Sequence, residues 1–390
     1  MKDKWSKKKL GEVCVIERGG SPRPIDAFLT DTEDGVNWIK IGDATSGSKY
    51  ITSTKEKIKP EGVRKSRMVY KGDFILSNSM SFGRPYILGI DGCIHDGWLV
   101  LRDIKNTFDK SFLYYYLSSP NLYREFKRLA NGGVVSNLNS ELVRGVNVII
   151  PTLVEQKRIV AELDCLSEVI DKQKTQLREL DNLAQSIFYD MFGDPIANEK
   201  GWKKDKIGTF ATCVAGATPS TSVKDYWENG EIPWLSSGEV SQGRITATEK
   251  CISQAGYDSC STRMIPPHTV LMAMAGQGKT RGTVGVAEIA LCTNQSICSI
   301  LTNDTINVDY LYYQLKLLYN ELRSISNGDG GRGGLNLKLI QGFKVILPPL
   351  ALQQEFASKI EAIEKQKELI KQSLSETETL FNSRMDYYFN

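Results

Sequence analysis

Apolar or small residues recur at Ile159, Leu163, Leu166, Ile170, Leu177, Leu180, Ala184, Ile187 and Met191, with Gln173 filling the one polar slot. Alternating steps of four and three residues over more than four heptads mark one long amphipathic helix, because that spacing keeps a single apolar stripe facing a partner. The ladder returns at Phe356, Ile360, Ile363, Ile370, Leu374 and Phe381, with Lys367 and Thr377 at polar steps. Pro151, Pro348 and Pro349 stand just ahead of these helices, where proline is tolerated, and Gly193-Asp-Pro ends the first. Each helix runs about 40 residues, on the order of 55 Å at 1.5 Å per residue. A stripe that long needs a partner, and its own second copy predicts an antiparallel pair; the alternative is that each helix packs on its own domain.

The remaining text, 1–151 and 201–348, is turn-rich. Short β-branched and aromatic runs such as Phe74 to Leu76, Val146 to Ile150 and Lys344 to Leu347 read as strands. One helix is predicted over 310–325, and its counterpart from Ser111 is interrupted at Pro120. These stretches also repeat. VNWIKIGDA around Trp38 answers IPWLSSGEV around Trp234, SRMVYKGDFILS from Ser66 answers TRMIPPHTVLMA from Thr262, and FLYYYL from Phe112 answers YLYYQL from Tyr310. A shift that stays between 196 and 198 residues means two copies of one unit. The expected fold is α+β: two similar mixed α/β globular domains, 1–151 and 196–348, separated by two long antiparallel coiled-coil helices, 152–195 and 349–390, in a pseudo-two-fold internal repeat.

Composition changes this picture little: 41% hydrophobic, 9% aromatic and 24% charged residues suit a folded chain of two domains. No run of about 18 apolar residues occurs, and Met1 to Leu10 carries five lysines with no apolar core behind them, which argues against a membrane span or a signal peptide. The eight cysteines include no C-x-x-C pair, and only His95 and His268 could join them, so no zinc site is expected and reduced thiols of a cytoplasmic protein are. Charge separates the parts: net +7 over 1–151 and +2 over 201–348, against −4 over 152–200 and −2 over 349–390. The globular parts, not the helices, suit a polyanion.

Catalytic constellations are missing. AGQGKTRG at 275–282 lacks the first glycine of a phosphate loop, since Ala273 holds that place. Neither histidine recurs in the other copy, His95 facing an amide in TNQS and His268 facing Gly72. The pattern reads as a bivalent binding protein, whose linked readers turn a second contact into an intramolecular one.

ILPPLALQQEFASKI at 346–360, its echo IIPTLVEQKRIVAEL at 149–163 and the helix end QSIFYDMFGDP at 185–195 carry a resemblance to the specificity subunit of type I restriction–modification systems. The first copy departs at Thr152, where a second proline is usual. The resemblance implies two target-recognition domains reading a split DNA sequence, with helices that set the spacer and dock two modification subunits. It implies no catalysis by the chain itself: S-adenosylmethionine and ATP belong to the modification and restriction subunits. DNA contacts should be polar or basic residues in turns: Arg23, Ser46, Lys49, Asn78, Ser81 and Arg84 in the first domain, and Ser220, Thr221, Ser237, Arg244, Gln277, Lys279 and Arg281 in the second. Arginine and lysine suit guanine O6 and N7, and asparagine and glutamine suit adenine N6 and N7. The reading from another class is a DNA-free bivalent protein-binding scaffold on a dimerising coiled coil.

Overall fold

A computed structural model describes residues 5–45, 47–78, 83–130, 138–276, 278–326 and 334–390. The chain divides into two compact units, Met1–Gln173 with Ser373–Asn390, and Lys174–Gln372. Each unit thus combines a globular part with a portion of both long helices.

In the first unit the strands are β1 (Ser6–Lys9), β2 (Val15–Arg18), β3 (Leu29–Thr30), β4 (Val36–Ile39), β5 (Tyr50–Ile51), β6 (Glu56–Ile58), β7 (Arg67–Val69), β8 (Phe74–Ser77), β9 (Pro85–Leu88), β10 (Gly92–Ile94), β11 (Trp98–Arg102) and β12 (Asn147–Ile150). They form one sheet in the order β2-β11-β8-β9-β5, a second in the order β3-β6-β4-β10-β7, and the pair β1-β12. Helices α1 (Lys110–Ser118) and α2 (Pro120–Ala130) follow, and α3 (Leu153–Phe192) is the central long helix. The apolar run of β8 is buried on both faces, Phe74 and Leu76 in one core cluster and Ile75 in another, whereas the lysine-rich β1 is exposed, and its charges guard a sheet edge.

The second unit repeats this plan with β13 (Lys203–Lys206), β14 (Ala211–Ala215), β15 (Ile232–Leu235), β16 (Arg244–Ile245), β17 (Lys250–Ile252), β18 (Thr269–Ala273), β19 (Val284–Ala287), β20 (Cys292–Thr293), β21 (Ile297–Thr302) and β22 (Lys344–Leu347). Its sheets run β14-β21-β18-β19-β16, β17-β15-β20 and β13-β22. Duplication holds at the level of register: Tyr50 pairs in parallel with Ile87 as Arg244 does with Val286. The helix expected over 310–325 is two helices, α4 (Val308–Leu317) and α5 (Tyr319–Ser324), broken at Leu318. The break matches the one that Pro120 makes between α1 and α2, here without a proline. The last long helix is α6 (Leu350–Phe389).

The portions of α3 and α6 run antiparallel within each unit. In the first unit, Glu162 meets Arg384 and Tyr388 while Gln173 donates to Ser373 Oγ at 2.8 Å; in the second, Asp181 meets Lys367 while Phe188 meets Phe356. The helix ends enter the globular cores. Ile159 and Leu163 join Met385, Tyr388 and Phe389 around Phe112 and Phe126, with Phe381 partly buried beside them. Ala184, Phe188 and Phe192 join Phe356, Ile360 and Ile363 around Tyr310, flanked by Leu180 and Ile187. Leu166, Ile170, Leu177, Ile370 and Leu374, further from the globular parts, are half-buried, because two helices alone cannot cover a stripe from all sides. Helix pairing and docking onto the domains therefore coexist. Gly193, at φ +76°, ends α3 in the left-handed conformation that glycine adopts without penalty.

The proline–aliphatic–glutamine signature has a physical basis. Gln156 and Gln353 are both fully buried. Gln156 Oε1 accepts the Asp109 N–H at 2.7 Å, and its Nε2 donates to the carbonyls of Pro151 and Thr107 at 3.0 Å. Gln353 Oε1 likewise accepts the Asn307 N–H, and its Nε2 donates to the Pro348 carbonyl, both at 2.8 Å. Each glutamine ties the first turn of a long helix to the cap of α1 or α4. Gln353→Ala would strand these buried groups at about 1–3 kcal/mol each. Urea denaturation should show a stability loss of about 2–5 kcal/mol for that variant. Gln353→Glu should not rescue it, since a carboxylate cannot donate to the Pro348 carbonyl.

Candidate nucleic-acid interface

Two candidate cations brace the fold. Arg244, in β16, is mostly buried, and its guanidinium binds Glu288 and Asp309 and lies 3.5 Å from Glu364 on α6. A guanidinium shared among three carboxylates is held as a brace between β16 and α6. Lys49, one residue before Tyr50, the register counterpart of Arg244, makes a comparable set of contacts in the first unit. Its Nζ donates to Ser111 Oγ at 2.9 Å, lies 3.8 Å from Asp164 on α3, and sits 5.2 Å from the ring centroids of Tyr114 and Tyr115. That enclosure again argues for a brace rather than a reader.

A tyrosine completes each brace. Tyr115 donates to Asp164 at 2.5 Å and Tyr313 to Glu364 at 2.8 Å. Burial and then the neighbouring carboxylates push both phenols far up, so both stay neutral donors at any physiological pH. Burial also pushes the Glu364 carboxyl up, but hydrogen bonds from Lys367 and Tyr313 and the charges of Lys367 and Arg244 outweigh it, and its pKa lies below the usual glutamate value. Asp181 behaves alike: burial raises it, while Lys316 and Lys367 prevail and lower it.

The other candidates are scattered over several loops. Arg23 is 84% exposed and lines a cleft of about 490 Å³ with Ser21, Trp38, Lys40, His95 and Asp96. Arg84 is exposed beside a second cleft, of about 340 Å³, with Ser48, Tyr86, Tyr114 and Tyr123. Asn78 is 1% exposed, and its Nδ2 donates to the Asp96 carbonyl at 2.9 Å, inside the fold. Ser46, Ser81 and Gln277 lie outside the described residues.

In the second unit Ser220 and Thr221 are exposed. Ser220 accepts the Trp227 indole N–H at its carbonyl at 3.1 Å, and Thr221 lines a cleft of about 450 Å³ with Trp227 and Lys250. Ser237 is half-buried. Lys279 is exposed and Arg281 half-buried, on the hairpin that joins antiparallel β18 and β19. That hairpin is held from α5: Tyr319 donates to the Lys279 carbonyl at 2.8 Å, and Arg323 to the carbonyls of Gly278 and Arg281 at 2.8 and 3.1 Å. A phosphate loop leads from a strand into a helix; this segment returns into a strand, so its resemblance to one stops at the letters. Among the described residues no group of three His, Cys, Asp or Glu is placed to hold a metal, and no helix is long and apolar enough to cross a membrane.

The family model for the type I restriction modification DNA specificity domain matches the chain twice, over residues 2–182 and 199–379. The chain belongs to the type I restriction–modification specificity family. A specificity subunit of Methanocaldococcus jannaschii, MjaIX, is 32% identical over 134 residues, 33% of this chain and 30% of the relative. The putative MjaX specificity subunit of the same organism is 22% identical over 92% of this chain and 87% of its own length. The EcoR124I/EcoR124II specificity subunit of Escherichia coli is 22% identical, over 49% of this chain and 47% of its own. The chain thus spans under half of two of these three relatives. In fold it is similar to the S subunit of M. genitalium, with a TM-score of 0.59 and 15% identity over 98% of this chain and 95% of that one. A chain from a structure on complex assembly and conformational transition of the type I R-M system gives a TM-score of 0.56 at 20% identity, covering 99% and 97%.

For this specificity-family chain, three features escaped the sequence reading. The buried glutamines were visible as a signature without a mechanism. The cation–tyrosine–carboxylate braces had one weak signal, the tyrosines of the duplicated FLYYYL and YLYYQL runs. Phe188, Phe192, Tyr388 and Phe389 at the helix ends stand off the heptad positions yet are fully or almost fully buried.

Proposed function

We propose that this chain is the DNA-reading subunit of a type I restriction–modification complex, each globular part reading one half of a bipartite duplex target. The observation that carries this reading is a fold whose sheet plan is duplicated, in a family named for DNA specificity, with exposed loops that differ between the copies. The long helices set the unread spacer and dock modification subunits. S-adenosylmethionine and ATP enter on partner subunits, and the chain supplies recognition without catalysis. The net +7 of the first globular part supports approach to a polyanion.

The test is binding of the purified chain with its modification subunits to a library of random duplexes. One bipartite motif should be selected, and affinity should fall with salt at about 0.9 log units per log unit for each phosphate contact. Binding that is indifferent to sequence, or none at all, would sink the reading and favour a protein-binding scaffold.

A further inference from the structure

One turn has the same scaffold in both copies and different chemistry on it. Between β10 and β11 stand His95 and Asp96; between β20 and β21 stand Asn294 and Gln295. The His95 N–H donates to the Ile39 carbonyl at 3.2 Å, as that of Asn294 does to Leu235 at 3.1 Å. His95 Nδ1 accepts the Gly97 N–H at 2.8 Å, as Asn294 Oδ1 accepts that of Ser296 at 3.0 Å. A hydroxyl three residues past the end of the neighbouring strand, β2 or β14, holds the next side chain: Ser21 donates to Asp96 Oδ1 at 3.0 Å, and Thr218 donates to Gln295 Oε1. The chain passes so close there that a Cβ on Gly19 would lie 2.2 Å from the His95 carbonyl oxygen, and one on Gly216 1.8 Å from that of Thr293.

These contacts pre-organise an acceptor in one copy and an amide in the other. With Nδ1 accepting, the neutral imidazole of His95 carries its proton on Nε2, which lies 3.1 Å from Asp96 Oδ1. The Asp96 carbonyl is pinned by Arg18 Nε and Asn78 Nδ2 at 3.0 and 2.9 Å. Asp96 Oδ2 has Arg23 at 3.9 Å, too long for a hydrogen bond but close enough to offset the carboxylate's repulsion of a polyanion. Gln295 is exposed and keeps its Nε2 free of hydrogen bonds among the described residues.

Resting on the DNA-reading function above, we propose that these two turns are the base-reading elements of the two halves. Asp96 accepts the exocyclic amine of a cytosine or adenine, and Gln295 pairs with adenine through N6 and N7. A carboxylate cannot donate to the acceptor face of guanine or thymine, and this sets the selectivity of the first half.

The experiment uses the full chain with its modification subunits, comparing wild type, Asp96→Asn and Gln295→Glu by selection from a duplex library and by methylome sequencing. Each variant should change one base position in one half-site, with discrimination there altered on the order of 10- to 100-fold and the other half intact. Gln295 holds a single hydroxyl, so Gln295→Glu reports even if Asp96→Asn lowers the melting temperature. Should the wild type select a bipartite motif while both variants select it unchanged, or bind all sequences uniformly more weakly, the turns do not read bases. Should the wild type itself select nothing, the DNA-reading function fails, and this inference with it.

Discussion

Deleting residues 170–176 together with 370–376 should shorten the preferred spacer between half-sites by about three base pairs. The segments face one another, since Gln173 meets Ser373 and the flanking pairs run antiparallel in each unit. Removing about one heptad from both helices keeps the apolar stripe in phase while taking out about 10.5 Å of helix, at 1.5 Å per residue. That length is about three steps of 3.4 Å along a duplex. On the original spacer only one half-site could then be engaged at a time. Losing the intramolecular second contact costs on the order of 10²–10⁴ in affinity. A binding series on duplexes differing only in spacer length reads both effects, and an unmoved optimum would remove the helices as the ruler. Deletion from one helix alone should put the two stripes out of register and lower the melting temperature instead.

Arg244→Ala should cost about 3–5 kcal/mol in the unit built from Lys174–Gln372, the range expected when one partner of a buried ion cluster is removed. Glu288, Asp309 and Glu364 would then share a partly buried space without the guanidinium between them. The loss should depend on pH. Glu364 and Asp181 titrate below their ordinary values in the folded chain, so the stability they contribute is fully present above the ordinary carboxylate range and is lost as pH falls through the folded pKa. Without Arg244 the Glu364 depression shrinks, so the gap between variant and wild type should be widest near neutrality and narrow below about pH 4. Thermal denaturation across that range checks the sign. A second substitution, Glu364→Gln, should recover part of the stability when added to Arg244→Ala, by removing one of the repelling charges. A gap independent of pH would mean that Arg244 matters through packing alone.

What could be read from the chain in advance was whatever repeats locally or over a fixed distance. The heptad steps at Ile159, Leu163 and Leu166 and at Phe356, Ile360 and Ile363 specify long helices because side-chain direction follows backbone period. The constant shift near 197 residues specifies duplication, and the proline–glutamine signature points to the family. The roles of single polar residues were not legible in that way. Arg244 and Arg23 look alike as loop arginines, yet one is enclosed by carboxylates 44, 65 and 120 residues away while the other stands in solvent. Asn78 reads as a turn residue but closes the core beneath the His95–Asp96 turn.

By itself, then, the sequence determined the two-fold plan, the helix pair and the family, since periodicity and self-similarity are properties of the chain. Only the tertiary structure decided where α4 gives way to α5 at Leu318, which cations brace the long helices, and that Asp96 and Gln295 occupy one place on two copies of the same turn. Those outcomes depend on which side chains, distant in sequence, come within hydrogen-bonding reach, and no local pattern encodes that distance.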